Sequence, residues 1–359
     1  MDVSDVYSYA EDVLSGKIVA CKLVKQACAR FQADIKRSDI YFDENAARMA
    51  IDWFGFLYHV KGEWAKPPPQ TIYLEPWQCF VTGNMFGWRY TESNRRRFRT
   101  CYFEVARKNA KTTMAAGWGG YLLVVDDEYG AEIYSSATTR DQAKIVFNIF
   151  KQMVKKSDSL RSRVQVFRNN MSIQEKFSKF EPLSSDFNTL DGLNTHGSIC
   201  DEVHAWPTRD LWDVIEESTA ARREPLQVAI TTAGSDRNTI CYELRDYAER
   251  VLNGYDSGFN DDSFFPMIYT IDEGDSWEDD LNIEDVSESK VWIKANPNLG
   301  VSCKFDYLKG KALKITGIPA AQNNFLRKHM NVWTQQITRW IDLDLWDANF
   351  TNEVYCVES

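Results

Sequence analysis

The chain has 359 residues, 44% hydrophobic and 13% aromatic, enough apolar surface for a sizeable core and a length that suggests two or three domains. Its net charge of −10 excludes a protein coated in basic surface for wrapping DNA, though not one that touches DNA through a few local basic groups. No apolar run approaches the roughly 18 residues of a membrane span, and the acidic start Met1-Asp2-Val3-Ser4-Asp5 lacks the pattern of a signal peptide. A cytosolic protein without membrane contact is the simplest expectation. The eight cysteines are scattered, with no Cys-x-x-Cys pair and no histidine at zinc spacing, so buried free thiols are expected rather than disulfides or a metal knot.

In chain order, residues 1–66 predict an N-terminal helical segment. Val6, Tyr9, Ala10, Val13 and Leu14 recur at helical spacing, and similar patterns run over 18–35 and 44–60. Lys66-Pro67-Pro68-Pro69-Gln70 cannot continue a helix and marks a boundary. Over 67–253 short apolar runs alternate with helical patterns. Strands are predicted at 100–105, 131–137, 197–201 and 226–231, helices at about 112–124, 140–156, 208–221 and 237–253, and short strands or a hairpin within 163–187. Such alternation predicts an α/β fold with a mostly parallel sheet flanked by helices. Residues 254–345, acidic and turn-rich to 285 and then helical, predict a small C-terminal linker or lid subdomain, and 346–359 a short tail.

Three segments carry chemistry. Val105-Ala-Arg-Lys-Asn-Ala-Lys111-Thr112-Thr113 follows a strand and opens a helix, where backbone amides can meet phosphates. Lys111 would reach the β/γ-phosphates and Thr112 would hold Mg²⁺, while Arg107 could contact phosphate in its own subunit. The consensus glycines are replaced by Val105 and Ala110, and a plain basic turn would look similar. Ser198-Ile-Cys-Asp201-Glu202 is an apolar strand ending in two carboxylates, Asp201 placed to hold Mg²⁺ and Glu202 to polarise an attacking water. Thr231-Thr232-Ala233-Gly234 ends the next strand, where hydroxyls would lie beside the site.

Other residues are more ambiguous. Arg222 and Arg223 end a predicted helix, which suits either a guanidinium acting in a neighbouring subunit or a simple helix C-terminus. Arg140 is a rival for the first role. The Gln78 amide could pair with adenine or be an ordinary loop glutamine. Arg95-Arg96-Arg97-Phe98-Arg99 and the basic residues of 151–163 could touch DNA phosphates or be a solvated face.

Taken together, Ala106-Arg-Lys-Asn-Ala-Lys-Thr112, Ala137-Thr-Thr-Arg-Asp-Gln-Ala143, Thr189-Leu-Asp-Gly-Leu-Asn194, Cys200-Asp-Glu-Val-His204 and Thr231-Thr-Ala-Gly234 resemble, in order, the large terminase subunit of tailed phages and prophages, over about residues 70–345. The resemblance implies a P-loop NTPase core of the ASCE, RecA-like type that binds ATP and Mg²⁺. The loop residues Arg107, Lys108, Asn109, Ala110, Lys111, Thr112 and Thr113 would bind the nucleotide, with Gln78 on adenine. Thr112 and Asp201 would hold the metal. Glu202 and Lys111 would be catalytic, and Thr231 and Thr232 would couple hydrolysis to movement; Arg222 and Arg107, from the reading of the residues above, are added to them as catalytic candidates. It implies a motor that drives double-stranded DNA inward as a homo-oligomeric ring, a pentamer, on the portal protein of the procapsid. A small terminase subunit would help select the DNA, in the host cytoplasm. Family members usually carry glycine where Ala110 stands, and a C-terminal nuclease. No later strand with metal-binding aspartates is evident, and Asp342, Asp344 and Asp347 read as connecting subdomain, so a chain without the nuclease domain, unable to cut DNA, is expected. A helicase or a non-hydrolysing P-loop scaffold are the competing readings.

Overall fold

A computed structural model describes residues 1–183 and 192–334. The N-terminal segment forms α1 (Ser4–Leu14), α2 (Lys22–Asp34), β1 (Ile40–Phe42) and α3 (Glu44–Asp52). Asp43 fixes the start of α3, its carboxylate accepting from the Asn45 and Ala46 amides. After the triproline stretch come α4 (Pro76–Gly87) and β2 (Trp88–Tyr90), which pairs antiparallel with β1.

The central sheet follows: β3 (Thr100–Glu104), α5 (Lys111–Val124), β4 (Glu132–Ser136), α6 (Arg140–Lys156), the single turn α7 (Asp158–Arg161), β5 (Gln165–Val166), β6 (Met171–Ile173), β7 (Ser178–Leu183), β8 (Thr195–Asp201), α8 (Asp210–Ser218), β9 (Leu226–Thr231), α9 (Ile240–Ser257) and β10 (Phe264–Ile268). The eight strands are ordered β10-β3-β9-β8-β4-β7-β6-β5. From β10 to β7 every neighbouring pair is parallel, and β6 and β5 extend the sheet as an antiparallel edge. The predicted alternation is thus found as an α/β parallel sheet. Strands β8 and β9 are buried at every position, as expected where helices cover both faces.

Helix α5 is wedged between neighbours. A Cβ at Gly117 would stand 2.2 Å from Phe54 Cε1, and one at Gly120 2.2 Å from Phe150 Cε2. Glycine at these two turns lets α5 approach both the N-terminal segment and α6.

Two predicted boundaries move. Residues 1–66 are not a separate unit, because Val6, Tyr9, Phe31 and Phe54 share one hydrophobic core with Phe103, Phe265 and Tyr269. Arg97, fully buried, ties them further, donating to Asp34 at 2.7 Å and to Asp262 at 2.6 Å. The second boundary shifts because β10, within the stretch read as lid, is a strand of the central sheet beside β3. Its five residues are too few for a periodic signal amid acidic turns. The C-terminal subdomain begins after it and contains α10 (Trp292–Ala295), α11 (Phe305–Gly317) and α12 (Gln322–His329) around its own small core of Trp277, Trp292, Leu308 and Phe325. Asp280 organises it, accepting from the amides of Lys290, Val291 and Trp292 and from Ser289 Oγ. The tail 346–359 lies outside the described residues, as do Thr189, Asp342, Asp344 and Asp347.

The seven described cysteines are buried and free. No described helix is long and apolar enough to cross a membrane.

Candidate nucleotide site

Strand β3 ends at Glu104, and residues 105–110 turn the chain into α5. Lys108 and Ala110 take positive φ, +75° and +58°. The left-handed Ala110 caps α5, so the Lys111 and Thr112 amides open the helix with no carbonyl four residues back to receive them. Such unpaired amides and the positive helix end suit an anion. Arg107, Lys108, Ala110, Lys111, Thr112, Thr113 and Glu202 line a cavity of about 400 Å³ at this point.

The sheet order explains how the distant segments meet. Strand β9 lies between β3 and β8, so the phosphate loop after β3, Thr231-Thr232 at the end of β9 and Asp201-Glu202 at the end of β8 fall side by side on one edge. Lys111 is buried, its ammonium donating to the Val105 carbonyl at 2.7 Å. Burial lowers its pKa to about 8, against the opposing pull of Glu202 and Asp201. Burial raises Asp201 to about 7, reinforced by the neighbouring Glu202 charge. Glu202 goes the other way, to about 2: burial alone would raise it, but contact with His204 and the charges of Lys111 and Arg107 outweigh that. One carboxyl is therefore held ready to take a proton and the other held ionised.

Glu202 adopts φ +49°, which turns the chain sharply off β8. Its Oε2 is buried without a hydrogen bond, at 3.1 Å from His204 Nδ1, an ion-pair distance only. His204 Nδ1 also lies 3.1 Å from Thr231 Oγ1, and the His204 amide donates to the same hydroxyl at 3.0 Å. Thr231 in turn donates to the Thr232 carbonyl at 2.9 Å. Thr231, expected to lie near Glu202, thus reaches it through His204, to which the sequence reading gave no role.

Several expected residues have other duties. Gln78 is buried at 4% exposure, and its side-chain oxygen accepts the Glu75 amide at 2.9 Å in a capping box for α4. It is not among the residues lining the cavity at the phosphate loop, and its amide already has a structural duty at the start of α4. The Asn109 side chain also turns away. It donates to the Ala106 carbonyl and to Asn296 Oδ1, both at 3.0 Å, and accepts the Asn298 amide at 3.0 Å, bracing the loop against the C-terminal subdomain. Arg222 is corrected most firmly. It reaches back across the far edge of the sheet to the Asn194 and Gly130 carbonyls and to Glu128 at 3.1 Å. Those partners precede β8 and β4, whereas the cavity lies where strands end, so Arg222 is a structural tie. Arg140 opens α6 just after β4, on the cavity's edge of the sheet, and is exposed. Within the basic run 95–99, Arg96 and Arg97 are buried, Arg96 paired with Asp126 at 2.8 Å, so neither can be part of a DNA face, while Arg95 and Arg99 are exposed.

A second network lies behind the loop. Glu104, fully buried, accepts from Tyr102 at 2.5 Å, from Asn331 Nδ2 at 3.1 Å and from Trp333 Nε1 at 3.2 Å, and pairs with Arg245. Asn331 Oδ1 accepts the Ala233 amide, next to Thr232. No sequence motif announced Glu104 or Asn331.

A parallel sheet with the phosphate-loop strand and the acidic strand separated by one other, and the loop running straight into a helix, has the fold of a P-loop nucleoside triphosphatase. Comparison with known proteins agrees. The family "Terminase large subunit, ATPase domain" matches residues 76–250, and "Terminase large subunit, endonuclease domain" matches 259–355. The chain belongs to the terminase large subunit family. The protein YmfN of Escherichia coli K12 is 34% identical over 158 residues, 44% of this chain and 32% of that protein. The terminase large subunit of Enterobacteria phage HK97 is 24% identical over 249 residues, 68% of this chain and 46% of that one. The crystal structure of the HK97 large terminase superposes with a TM-score of 0.64 at 22% identity, covering 80% of this chain and 55% of that one. The chain thus spans less than half the length of these curated relatives.

The endonuclease match overturns one expectation. The chain does not stop short of the nuclease portion: that match begins ahead of β10 and runs through the C-terminal subdomain. The ground for expecting no DNA cleavage goes with it. The helical pattern of 286–345 predicts only connecting structure, because it offers no periodic strand signal for a nuclease sheet.

Proposed function

We propose that this chain hydrolyses ATP and couples it to the movement of double-stranded DNA into a viral procapsid. The observation that carries this is the convergence of Lys111, the opening residues of α5 and Glu202 on one cavity at the ends of β3 and β8, with Asp201 next to Glu202 and close enough for its charge to act on Lys111.

In this reading the loop amides and Lys111 hold the phosphate chain, and Arg107 and Lys108 add charge at the rim. Glu202, held ionised with a buried unpartnered oxygen, orients the attacking water and accepts its proton. Thr231 senses that proton through His204, linking chemistry to the strand end. Thr112 and Asp201 suit Mg²⁺: a hydroxyl and a carboxylate near the loop, with Asp201 ionising easily once a cation replaces its proton. Bound there, Mg²⁺ would neutralise charge on the β/γ-phosphate oxygens. Arg140, exposed on the same edge, supplies the guanidinium to a neighbouring subunit's site. Function therefore requires a ring, a pentamer on the portal protein, loaded with the help of a small terminase subunit in the host cytoplasm.

Steady-state ATP hydrolysis with Mg²⁺ across protein concentrations, beside Glu202→Ala, tests this. Turnover per subunit that rises with concentration and vanishes in the variant is expected. No turnover and no nucleotide binding would refute the proposal in favour of a non-hydrolysing scaffold.

A further inference from the structure

Helix α12 brings a second set of cations to the phosphate loop. The Lys328 carbonyl accepts the Arg107 amide at 2.8 Å, which fixes the end of α12 against the loop. The last turn of α12 carries Arg327, Lys328 and His329. The leading charges acting on Arg327 and Lys328 are all positive: Arg107 on both, with Arg327 and Lys311 also acting on Lys328. Burial and this repulsion lower both side chains' pKa, and His329, buried beside Lys311 and Arg107, falls to about 4. The guanidinium Nε atoms of Arg327 and Arg107 are both buried without a hydrogen-bond partner.

This is an unusual use of charge in a chain of net charge −10. Part-buried guanidinium nitrogens are ordinarily bonded, because an unmade bond to a charged group is expensive. Favourable placement at a helix C-terminus accounts for cations on α12. It does not account for two orphaned Nε atoms on two elements that a backbone hydrogen bond holds together. An anion between them would satisfy both and cancel the repulsion.

We infer that Arg327 is a phosphate ligand of the nucleotide bound in the same chain's cavity, so that the C-terminal subdomain closes on the phosphate chain through α12. This rests on the nucleotide-site reading above. Arg107 lines the cavity, and its backbone amide bonds to the carbonyl of Lys328, the neighbour of Arg327, which sets the end of α12 against the cavity's rim. The same subdomain already braces the loop through Asn296 and Asn298, and Ser302 Oγ donates to the Lys108 carbonyl at 2.6 Å. Nucleotide charge and subdomain position are then linked in both directions.

The test uses the full chain with Arg327→Gln, Arg327→Lys and Lys111→Ala, and ATPγS with Mg²⁺ as probe in a titration. Arg327→Gln should weaken ATPγS binding about tenfold, as expected for loss of one charge-assisted contact. Arg327→Lys should recover part of it, with thermal melting of the unliganded proteins unchanged. Unchanged ATPγS affinity in Arg327→Gln would overturn the inference. So would weakened binding to duplex DNA with ATPγS affinity intact, which would move Arg327 to the DNA path. Lys111→Ala separates the two levels of reading. If it abolishes ATPγS binding while Arg327→Gln binds normally, the nucleotide site stands and the role of Arg327 falls. If the unaltered chain binds no ATPγS, both fall.

Discussion

Asn331 Oδ1 accepts the backbone amide of Ala233 at 2.7 Å, joining the segment that leaves the C-terminal subdomain to the loop after Thr231-Thr232. Its Nδ2 donates to the Tyr269 carbonyl at 2.6 Å and to Glu104 at 3.1 Å. Asn331→Ala should therefore orphan a buried amide and remove a partner from a buried carboxylate. We expect a loss of about 1–3 kcal/mol in denaturant unfolding. Because Asn331 sits at φ +57°, Asn331→Gly is the control. It tolerates the backbone, so an equal loss in both variants assigns the effect to the side-chain bonds.

Glu202→Gln keeps the shape of the side chain but not its basicity. Turnover should fall by about 10²- to 10⁴-fold, with ATP affinity nearly unchanged. A variant that still hydrolyses at half the normal rate would remove Glu202 from the chemistry.

Arg222 and Arg140 should separate cleanly. Arg222→Ala leaves the Asn194 and Gly130 carbonyls without their donor and should cost about 1–3 kcal/mol of stability. Its turnover, measured well below its melting temperature, should be normal. Arg140→Ala should melt like the unaltered chain yet lose concentration-dependent turnover, and it should be rescued in rings mixed with Glu202→Gln subunits.

Asp201 gives a pH signature. Its folded pKa is raised to about 7 from 3.8, so between these values the folded chain binds more protons than the unfolded one. Stability from this group is full below about pH 4 and is lost as pH rises through about 7. Asp201→Asn should flatten that part of the melting-temperature profile. If the profile of the variant between pH 4 and 7 matches the parent's, the raised pKa is wrong.

Ala110 holds φ +58°, a conformation that costs an L-residue with a Cβ roughly 1 kcal/mol. Ala110→Gly should stabilise the loop by up to that amount, less the entropy glycine adds to the unfolded chain. Calorimetric unfolding would register it.

Much of the site could be read from residue order because strands announce themselves and their ends carry the chemistry. That logic puts Lys111, Thr112, Asp201, Glu202 and Thr231 at strand ends, and the sheet order brings those ends to one edge. What escaped depended on contacts between distant segments. Glu104 looks like an ordinary polar strand end until Arg245, Asn331 and Trp333 surround it. Arg222 looks like a free helix-end cation until Glu128 and two carbonyls are brought to it. Gln78 was legible after all, since Glu75-Pro-Trp-Gln78 has capping-box spacing. The fold erred at edges: β10 is too short to show a period, and the triproline stretch breaks the helical pattern without breaking the core.

The position of β3 between β9 and β10 bears on the order in which the site can exist during synthesis. The phosphate loop leaves the ribosome early, yet its strand gains both neighbours only after residue 268 has emerged, and the braces from Asn296, Asn298 and Lys328 come some 30 to 60 residues later still. Domains form as units once their long-range pairings are available. A nascent chain that already carries Lys111 and Glu202 is therefore unable to hold a nucleotide until nearly all of the described sequence has been made.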